Sequence, residues 1–136
     1  MHRQRNLVRV EHMPIRWGDM DAMQHVNNTV YFRYMEQIRV SWYESMFGAL
    51  SGAHEEGIVI VNASCTFLKP LMYPGTVEVK MLFGAARRSS FESFYELWMN
   101  DVMYADGAAR IVWIDVREGK ARPLPASIAA LCPAGA

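Results

Sequence analysis

The chain has 136 residues and a mass of 15.5 kDa, the size of one ordinary domain, so we expect residues 1–136 to form a single unit. Fourteen basic residues balance fourteen acidic ones, and this zero net charge argues against a general nucleic-acid-binding protein, which usually carries a basic excess. No apolar run reaches the roughly 20 residues of a membrane helix, and the N-terminal stretch lacks the apolar core of a signal peptide, so a cytoplasmic protein without membrane contact is predicted.

The first predicted elements are a strand over residues 7–17 and a long helix over residues 27–47. The strand changes its apolar face near His12, which predicts a bulge or a switch of burial there. In the helix, apolar side chains recur with i, i+3, i+4 spacing and a second apolar group lies behind them, so we expect the helix to be largely buried. Asn27 and Asn28 are suited to cap its start, and Gly48 is suited to end it. The main apolar stripe consists of Val30, Tyr31, Tyr34, Met35, Ile38, Trp42 and Met46.

Four further strands are predicted over residues 58–68, 76–83, 91–99 and 108–116. The last of them is apolar on both faces at its centre, as a middle strand would be. Asn100-Asp101 and Asp106-Gly107 have turn or bulge chemistry and are expected to separate the strands. One long helix lying along a curved antiparallel sheet satisfies these patterns, so we predict an α+β fold whose sheet edge favours a homodimer or higher oligomer. Alternation places one set of small and apolar residues on one side of the first of these strands, namely Val59, Val61, Ala63, Cys65 and Phe67.

Between the first strand and the helix lies the segment with the most chemical information. Two acids, a histidine and two asparagines fall within ten residues there. Polar side chains at such a junction can face a cavity while their backbone stays ordered. The N–H groups in the first turn of a helix lack partners within the helix, and they can stabilise a developing negative charge. The five residues are Asp19, Asp21, His25, Asn27 and Asn28.

This segment resembles the hotdog-fold acyl thioesterases, in particular the hydroxybenzoyl-CoA thioesterase-like family. The matching residues are Gly18-Asp19-Met20-Asp21, His25-Val26-Asn27-Asn28 and Tyr31, and the later stretches SCTFLKPLMYPG and GAARIVWID suit the strand pattern of that family. The segment is also similar to the plant acyl-carrier-protein thioesterases, whose motif reads D-x-N-x-H-V-N-N. The resemblance implies a long central helix wrapped by a curved sheet of about five strands, a site at a dimer interface, thioester hydrolysis, and no metal or bound cofactor.

By position, the resemblance implies that Asp21 is the catalytic acid and that the Asn28 amide polarises the thioester carbonyl, with His25 as the histidine of the plant motif. Met23 stands where the plant motif has asparagine, which argues against an Asp-Asn-His mechanism and leaves the role of His25 open. The residue types agree with this outline, because Asp21 can activate water or attack as a nucleophile and helix-start amides can stabilise an oxyanion. We interpret Asp19 as structural, with a catalytic role as the alternative.

The candidate substrate-binding residues are Asn27, Tyr31, Arg87, Arg88 and Ser90. Both arginines fall between two predicted strands, and their guanidinium groups suit the phosphates of coenzyme A, although a solvated loop is the simpler interpretation. Lys69 is a weaker candidate of the same kind. The predicted function is therefore hydrolysis of an acyl- or aroyl-CoA. The alternatives are an acyl-carrier-protein thioesterase, an acyl-thioester dehydratase that uses the same acid and histidine, and a module that binds acyl thioesters without turnover.

Overall fold

The structure, a computed structural model, describes residues 4–50 and 54–134. It contains strands β1 (Asn6–Pro14), β2 (Glu56–Phe67), β3 (Thr76–Ala86), β4 (Ser90–Met99) and β5 (Val102–Asp115), and helices α1 (Asn28–Phe47) and α2 (Ala126–Ala129). The five strands form one antiparallel sheet in the order β1-β3-β4-β5-β2, and α1 packs along it, which confirms the predicted α+β architecture. Neither helix in the described ranges has both the length and the apolar character that crossing a membrane requires.

Helix α1 begins and ends at the residues that local chemistry favours. The Asn27 side chain accepts a hydrogen bond from the Thr29 N–H at 3.0 Å, and Gly48 ends the helix with φ of +88°. The centre of the predicted stripe is buried, but the helix is less buried than expected, since Phe32 is 36 % exposed. The physical reason is that the sheet covers only one side of α1. The buried residues of the helix are Tyr31, Tyr34, Met35, Ile38, Trp42 and Tyr43.

The Met35 side chain of α1 packs directly onto β5, because that strand carries small residues beneath it. Ala105, Gly107 and Ala109 are buried, and a Cβ at Gly107 would collide with the Met35 sulfur atom. The prediction of a turn or bulge at Asp106-Gly107 was therefore wrong: both residues pair regularly inside β5, where the glycine permits close packing, and β5 begins six residues earlier than predicted. The turn at Asn100-Asp101 is confirmed, with φ of +52° and +62° at the two residues.

The two edge strands also differ from the sequence-based expectation. The bulge in β1 lies between Leu7 and Arg9 rather than near His12, and the strand ends at Pro14 before a short 3-10 turn over Trp17–Asp19. In β2 the alternation is interrupted between Ile60 and Asn62. Because β2 is the last strand of the sheet, it presents apolar side chains to solvent in the single chain, namely Val59, Val61 and Phe67.

Tyr34 is a buried residue with an unusual environment. It is 6 % exposed, and its hydroxyl has no hydrogen-bond partner within the described ranges. Burial raises the pKa of Tyr34 to about 12, with smaller contributions from the Asp19 carboxylate and Tyr31 and an opposing one from Arg16. The folded chain therefore keeps this phenol protonated to a higher pH than the unfolded chain does. Its contribution to stability is complete below pH 10 and is lost as the pH rises toward about 12.

We expect the Tyr34→Phe variant to resist alkaline unfolding better than the wild type. A shift from 10 to about 12 corresponds to about 2–3 kcal/mol in full, of which about 1 kcal/mol is lost by pH 11. Urea denaturation at pH 9 and pH 11 should show a free energy of unfolding that falls by about 1 kcal/mol less in the variant. Tyr73→Phe removes an exposed phenol and is the matched control. Parallel pH profiles for wild type and Tyr34→Phe would contradict this prediction.

Candidate active site

In the connection between β1 and α1 the chain reverses direction in a tight turn, which places Asp21 beside the start of the helix. Met20 and Val26 pair across it as an antiparallel bridge, and the Asp21 N–H donates to the His25 carbonyl at 2.8 Å. Gln24 adopts φ of +62° at the tip, and its N–H donates to the Asp21 carbonyl at 2.9 Å. These bonds fix the position of the Asp21 backbone relative to α1.

The Asp21 carboxylate is exposed, yet its orientation is fixed. Its Oδ1 atom accepts a hydrogen bond from the Met23 N–H at 2.9 Å, which closes a turn of the kind that aspartate and asparagine both favour. The Oδ2 atom makes no hydrogen bond within residues 4–50 and 54–134. One oxygen therefore holds the side chain in place, and the other is free to act on a ligand.

The Asn28 amide is the free donor at the start of α1. The neighbouring amides are used: the Asn27 N–H donates to the Asp19 carbonyl at 2.9 Å, the Thr29 N–H to the Asn27 side chain, and the Val30 N–H to the Asn27 carbonyl. Among the described residues no acceptor faces the Asn28 N–H. A free N–H at a helix start is a favourable place for an oxyanion.

Asp21 and Asn28 line one cleft of about 440 Å³. His25, which is half-buried, and Tyr31 also border it, so the structure brings four of the predicted site residues together. Asp21 in addition borders a second cleft of about 550 Å³. The remaining walls of the first cleft are formed by Met23, Val26, Phe67, Leu68, Lys69 and Pro70, and those of the second by Trp17, Gly18, Met20, Gln24 and Tyr73.

Tyr31, on α1, contacts the segment of residues 67–71 that forms the opposite wall of the first cleft. It is 2 % exposed, its hydroxyl accepts from the Leu71 N–H at 2.9 Å and lies 3.4 Å from the Lys69 carbonyl, and its ring packs edge-on against Phe67 at 4.9 Å. The Val26 N–H donates to the Leu71 carbonyl at 2.8 Å and completes the junction. Burial raises the pKa of Tyr31, so the phenol remains a neutral hydrogen-bonding group. The wall residues from 67 to 70 were not predicted as a group, although the stretch SCTFLKPLMYPG contained the signal.

The other predicted binding residues lie elsewhere in the single chain. The Asn27 side chain is occupied as the helix cap and does not border the cleft. Arg87, Arg88 and Ser90 lie where β3 passes into β4, whereas the site lies beyond the opposite end of β3, roughly 30 Å away along that strand. Lys69 is the cation that borders the cleft itself.

The remaining reactive groups do not extend this site. Burial, with a smaller contribution from the Asp106 carboxylate, raises the pKa of Cys65 to about 11, so its thiol stays protonated and weakly nucleophilic at neutral pH. No three His, Cys, Asp or Glu side chains of the described residues converge as metal ligands do. The site therefore combines a positioned carboxylate with a free backbone amide, an arrangement suited to attack on a carbonyl carbon.

Comparisons with known proteins give the family and the fold of this chain. Residues 15–131 match the family model of the thioesterase-like superfamily. A Pseudomonas aeruginosa protein provisionally assigned as a thioesterase has a similar structure, with a TM-score of 0.85 and 39 % identity over 91 % of this chain and 97 % of that one. A gentisyl-coenzyme A thioesterase shares the fold at a TM-score of 0.79 and 23 % identity, over 88 % of this chain and 98 % of its own.

An Aquifex aeolicus (strain VF5) protein provisionally named an esterase is 27 % identical over 116 residues, which cover 84 % of this chain and 89 % of that protein. The similarity to solved thioesterase structures confirms the predicted hotdog fold.

Proposed function

Because the chain belongs to the thioesterase-like superfamily, whose reaction is the hydrolysis of a thioester, we propose that it cleaves acyl-coenzyme A, with an acyl or aroyl group, to the free acid and coenzyme A. The observation that supports this most directly is that Asp21 and Asn28 border one cleft, and that the Asn28 N–H has no acceptor among the described residues. The Asp21 carboxylate can supply or activate the attacking oxygen, and the Asn28 N–H can stabilise the charge that forms on the carbonyl oxygen.

The proposed reaction consumes one water molecule. The thioester oxygen accepts the Asn28 N–H, and either a water deprotonated by Asp21 or the Asp21 carboxylate itself forms a bond to the carbonyl carbon. The C–S bond then breaks, and in the first route the thiolate takes up the proton that Asp21 removed from water. If Asp21 attacks directly, breakage of the C–S bond leaves an anhydride and a thiolate; water then cleaves the anhydride, which restores the carboxylate, and the proton released from that water goes to the thiolate. His25 borders the same cleft and assists by orienting the water or the carbonyl.

The proposal also concerns how a long substrate is held. Asp21 borders two clefts with otherwise different walls, so we propose that the acyl group occupies one of them and the thiol arm the other. Arg87, Arg88 and Ser90 remain proposed phosphate-binding residues. Because they lie at the far end of the sheet in one chain, this role requires a coenzyme A molecule bound across a subunit boundary.

A thiol-release assay tests the proposed function. The purified chain is mixed with short-, medium- and long-chain acyl-CoAs and with benzoyl-CoA, and free thiol is followed. Release from a coenzyme A ester supports the proposal. Release only from an acyl-carrier-protein ester indicates the carrier-protein enzyme, loss of water from a 3-hydroxyacyl thioester indicates a dehydratase, and tight binding without either reaction indicates a binding module.

We further propose that the chain works as a homodimer, or a tetramer built from such dimers, through the apolar edge along β2. Val61, 54 % exposed on this edge, should be covered by a second copy. We expect light scattering to give at least 31 kDa for the wild type, twice the 15.5 kDa of one chain. Val61→Lys should lower the mass toward that of one chain. Val102→Lys, at an exposed valine of β5, is the control, and equal masses for both variants would contradict an interface at β2.

A further inference from the structure

The loop between β1 and α1 contains two acids, Asp19 and Asp21, and Asp19 does not border the cleft of Asp21 and Asn28. It is half-buried at the end of the 3-10 turn that follows β1. Its Oδ2 atom accepts from the Arg16 N–H at 3.1 Å, and its own N–H donates to the Arg16 carbonyl at 3.0 Å. This reciprocal pair closes the turn and ties the Asp19 backbone to the end of β1.

The backbone carbonyl of Asp19 makes a second connection, to the start of α1. It accepts from the Asn27 N–H at 2.9 Å. Asn27 in turn uses its side chain and its carbonyl to cap the amides of Thr29 and Val30. The N–H groups on both sides of Asn28 are thereby held in place, and the Asn28 N–H is left without an acceptor in the part of the chain that the structure describes.

We propose that Asp19 is a positioning residue. By closing the turn over Arg16–Asp19, it fixes the position of the Asn28 amide relative to the Asp21 carboxylate. This inference rests on the proposed function for its catalytic meaning, but the contacts that carry it are independent of the substrate. Asp21 follows Asp19 by two residues, and Asn28 follows the residue bonded to the Asp19 carbonyl. A shift of the turn therefore moves both groups, and displacements of about 1 Å can reduce turnover by as much as about 100-fold.

The side chain of Asp19 acts here as a hydrogen-bond acceptor and not through its charge. Asparagine offers the same acceptor oxygen to the Arg16 N–H, whereas alanine offers none. Asp19→Asn should therefore preserve the geometry and Asp19→Ala should lose it. A catalytic carboxylate would give the opposite pattern for the first variant, because asparagine cannot accept a proton at neutral pH.

The test compares these two variants with a matched control. Asp115 also closes a turn, since its Oδ1 accepts from the Glu118 N–H at 2.8 Å, but it lies at the far end of β5. For folded protein we expect kcat on an acyl-CoA to fall about 10- to 100-fold in Asp19→Ala with KM changed less than about twofold. Asp19→Asn should stay within about threefold of the wild type, and Asp115→Ala should have the wild-type kcat.

Amide hydrogen exchange followed by NMR provides a second measurement that needs no substrate. The Asn27 N–H should exchange at least about 10-fold faster in Asp19→Ala than in the wild type or Asp19→Asn. An unchanged exchange rate, or a wild-type kcat in Asp19→Ala, would overturn the inference. Equal loss of kcat in both Asp19 variants would assign the charge a direct catalytic role instead. A wild type without thiol release refutes the proposed function, and the exchange rates still decide whether Asp19 holds the helix start.

Discussion

Asp21→Asn is expected to reduce kcat/KM for thiol release by about 10³-fold while the chain stays folded, because removal of a general base or nucleophile typically costs a factor of about 10²–10⁴. The substitution should leave the structure almost unchanged. Asparagine retains an Oδ1 acceptor for the Met23 N–H, and position 21 is exposed, so neither the turn nor the core is disturbed. The loss therefore reports on chemistry at the carboxylate.

The control for this experiment lies two residues earlier. Asp19→Asn makes the same chemical change in the same loop but is expected to retain nearly full activity. Both variants should have the wild-type unfolding midpoint in urea. If Asp21→Asn retained activity within about tenfold of the wild type, the carboxylate would be neither the base nor the nucleophile, and the proposed mechanism would be wrong.

The part of the candidate site that the sequence predicted, the loop from Asp21 to Asn28, is held together by local interactions. Asn27 caps α1 and Asn28 follows it with a free N–H because capping depends on residue type and on neighbours within three positions. The position of Asp21 depends on a turn closed within the same loop. These features are encoded in a short continuous stretch, which is also the stretch that carries the family resemblance.

The opposite wall of the cleft could not be predicted in the same way. Tyr31 meets Leu71 forty positions later in the sequence, and Phe67 reaches the same ring only because β2 ends there. Such contacts depend on strand order and register, which single-chain patterns do not specify. The same reason explains the arginines: residue type suggested that Arg87 and Arg88 bind phosphate, but only the length of β3 shows how far they lie from Asp21.

Glycine gave the clearest conflict between local and tertiary signals. Asp106-Gly107 has the composition of a turn, yet Gly107 lies inside β5 because the absence of a side chain lets Met35 pack against the strand. The exposed apolar residues of β2 present a related problem, since burial in one chain does not describe burial in an oligomer. In both places the residue type was informative, but its meaning depended on which element packs against it.

Asn28→Pro is expected to lower kcat by about 10²–10³-fold, because proline deletes the one backbone N–H that the mechanism assigns to the oxyanion and the loss of such a donor costs about 3–4 kcal/mol of transition-state stabilisation. The position tolerates proline. Asn28 is the first helical residue, where no intrahelical bond uses the N–H, and Asn27 already has φ of −60° and ψ of 142°, the extended conformation that a following proline requires. Proline at this position thus removes a donor without breaking α1.

Asn28→Ala distinguishes the role of the backbone N–H from that of the side chain, since alanine keeps the N–H and removes only the carboxamide. Steady-state kinetics on an acyl-CoA should place Asn28→Ala within about fivefold of the wild type and Asn28→Pro near the activity of Asp21→Asn, with KM little changed in either because the oxyanion forms only in the transition state. Circular dichroism and the urea midpoint should show that both variants keep α1. If Asn28→Pro folds and keeps the wild-type kcat, the Asn28 N–H does not stabilise the oxyanion. If Asn28→Ala is inactive, the side chain of Asn28 is required rather than its backbone N–H.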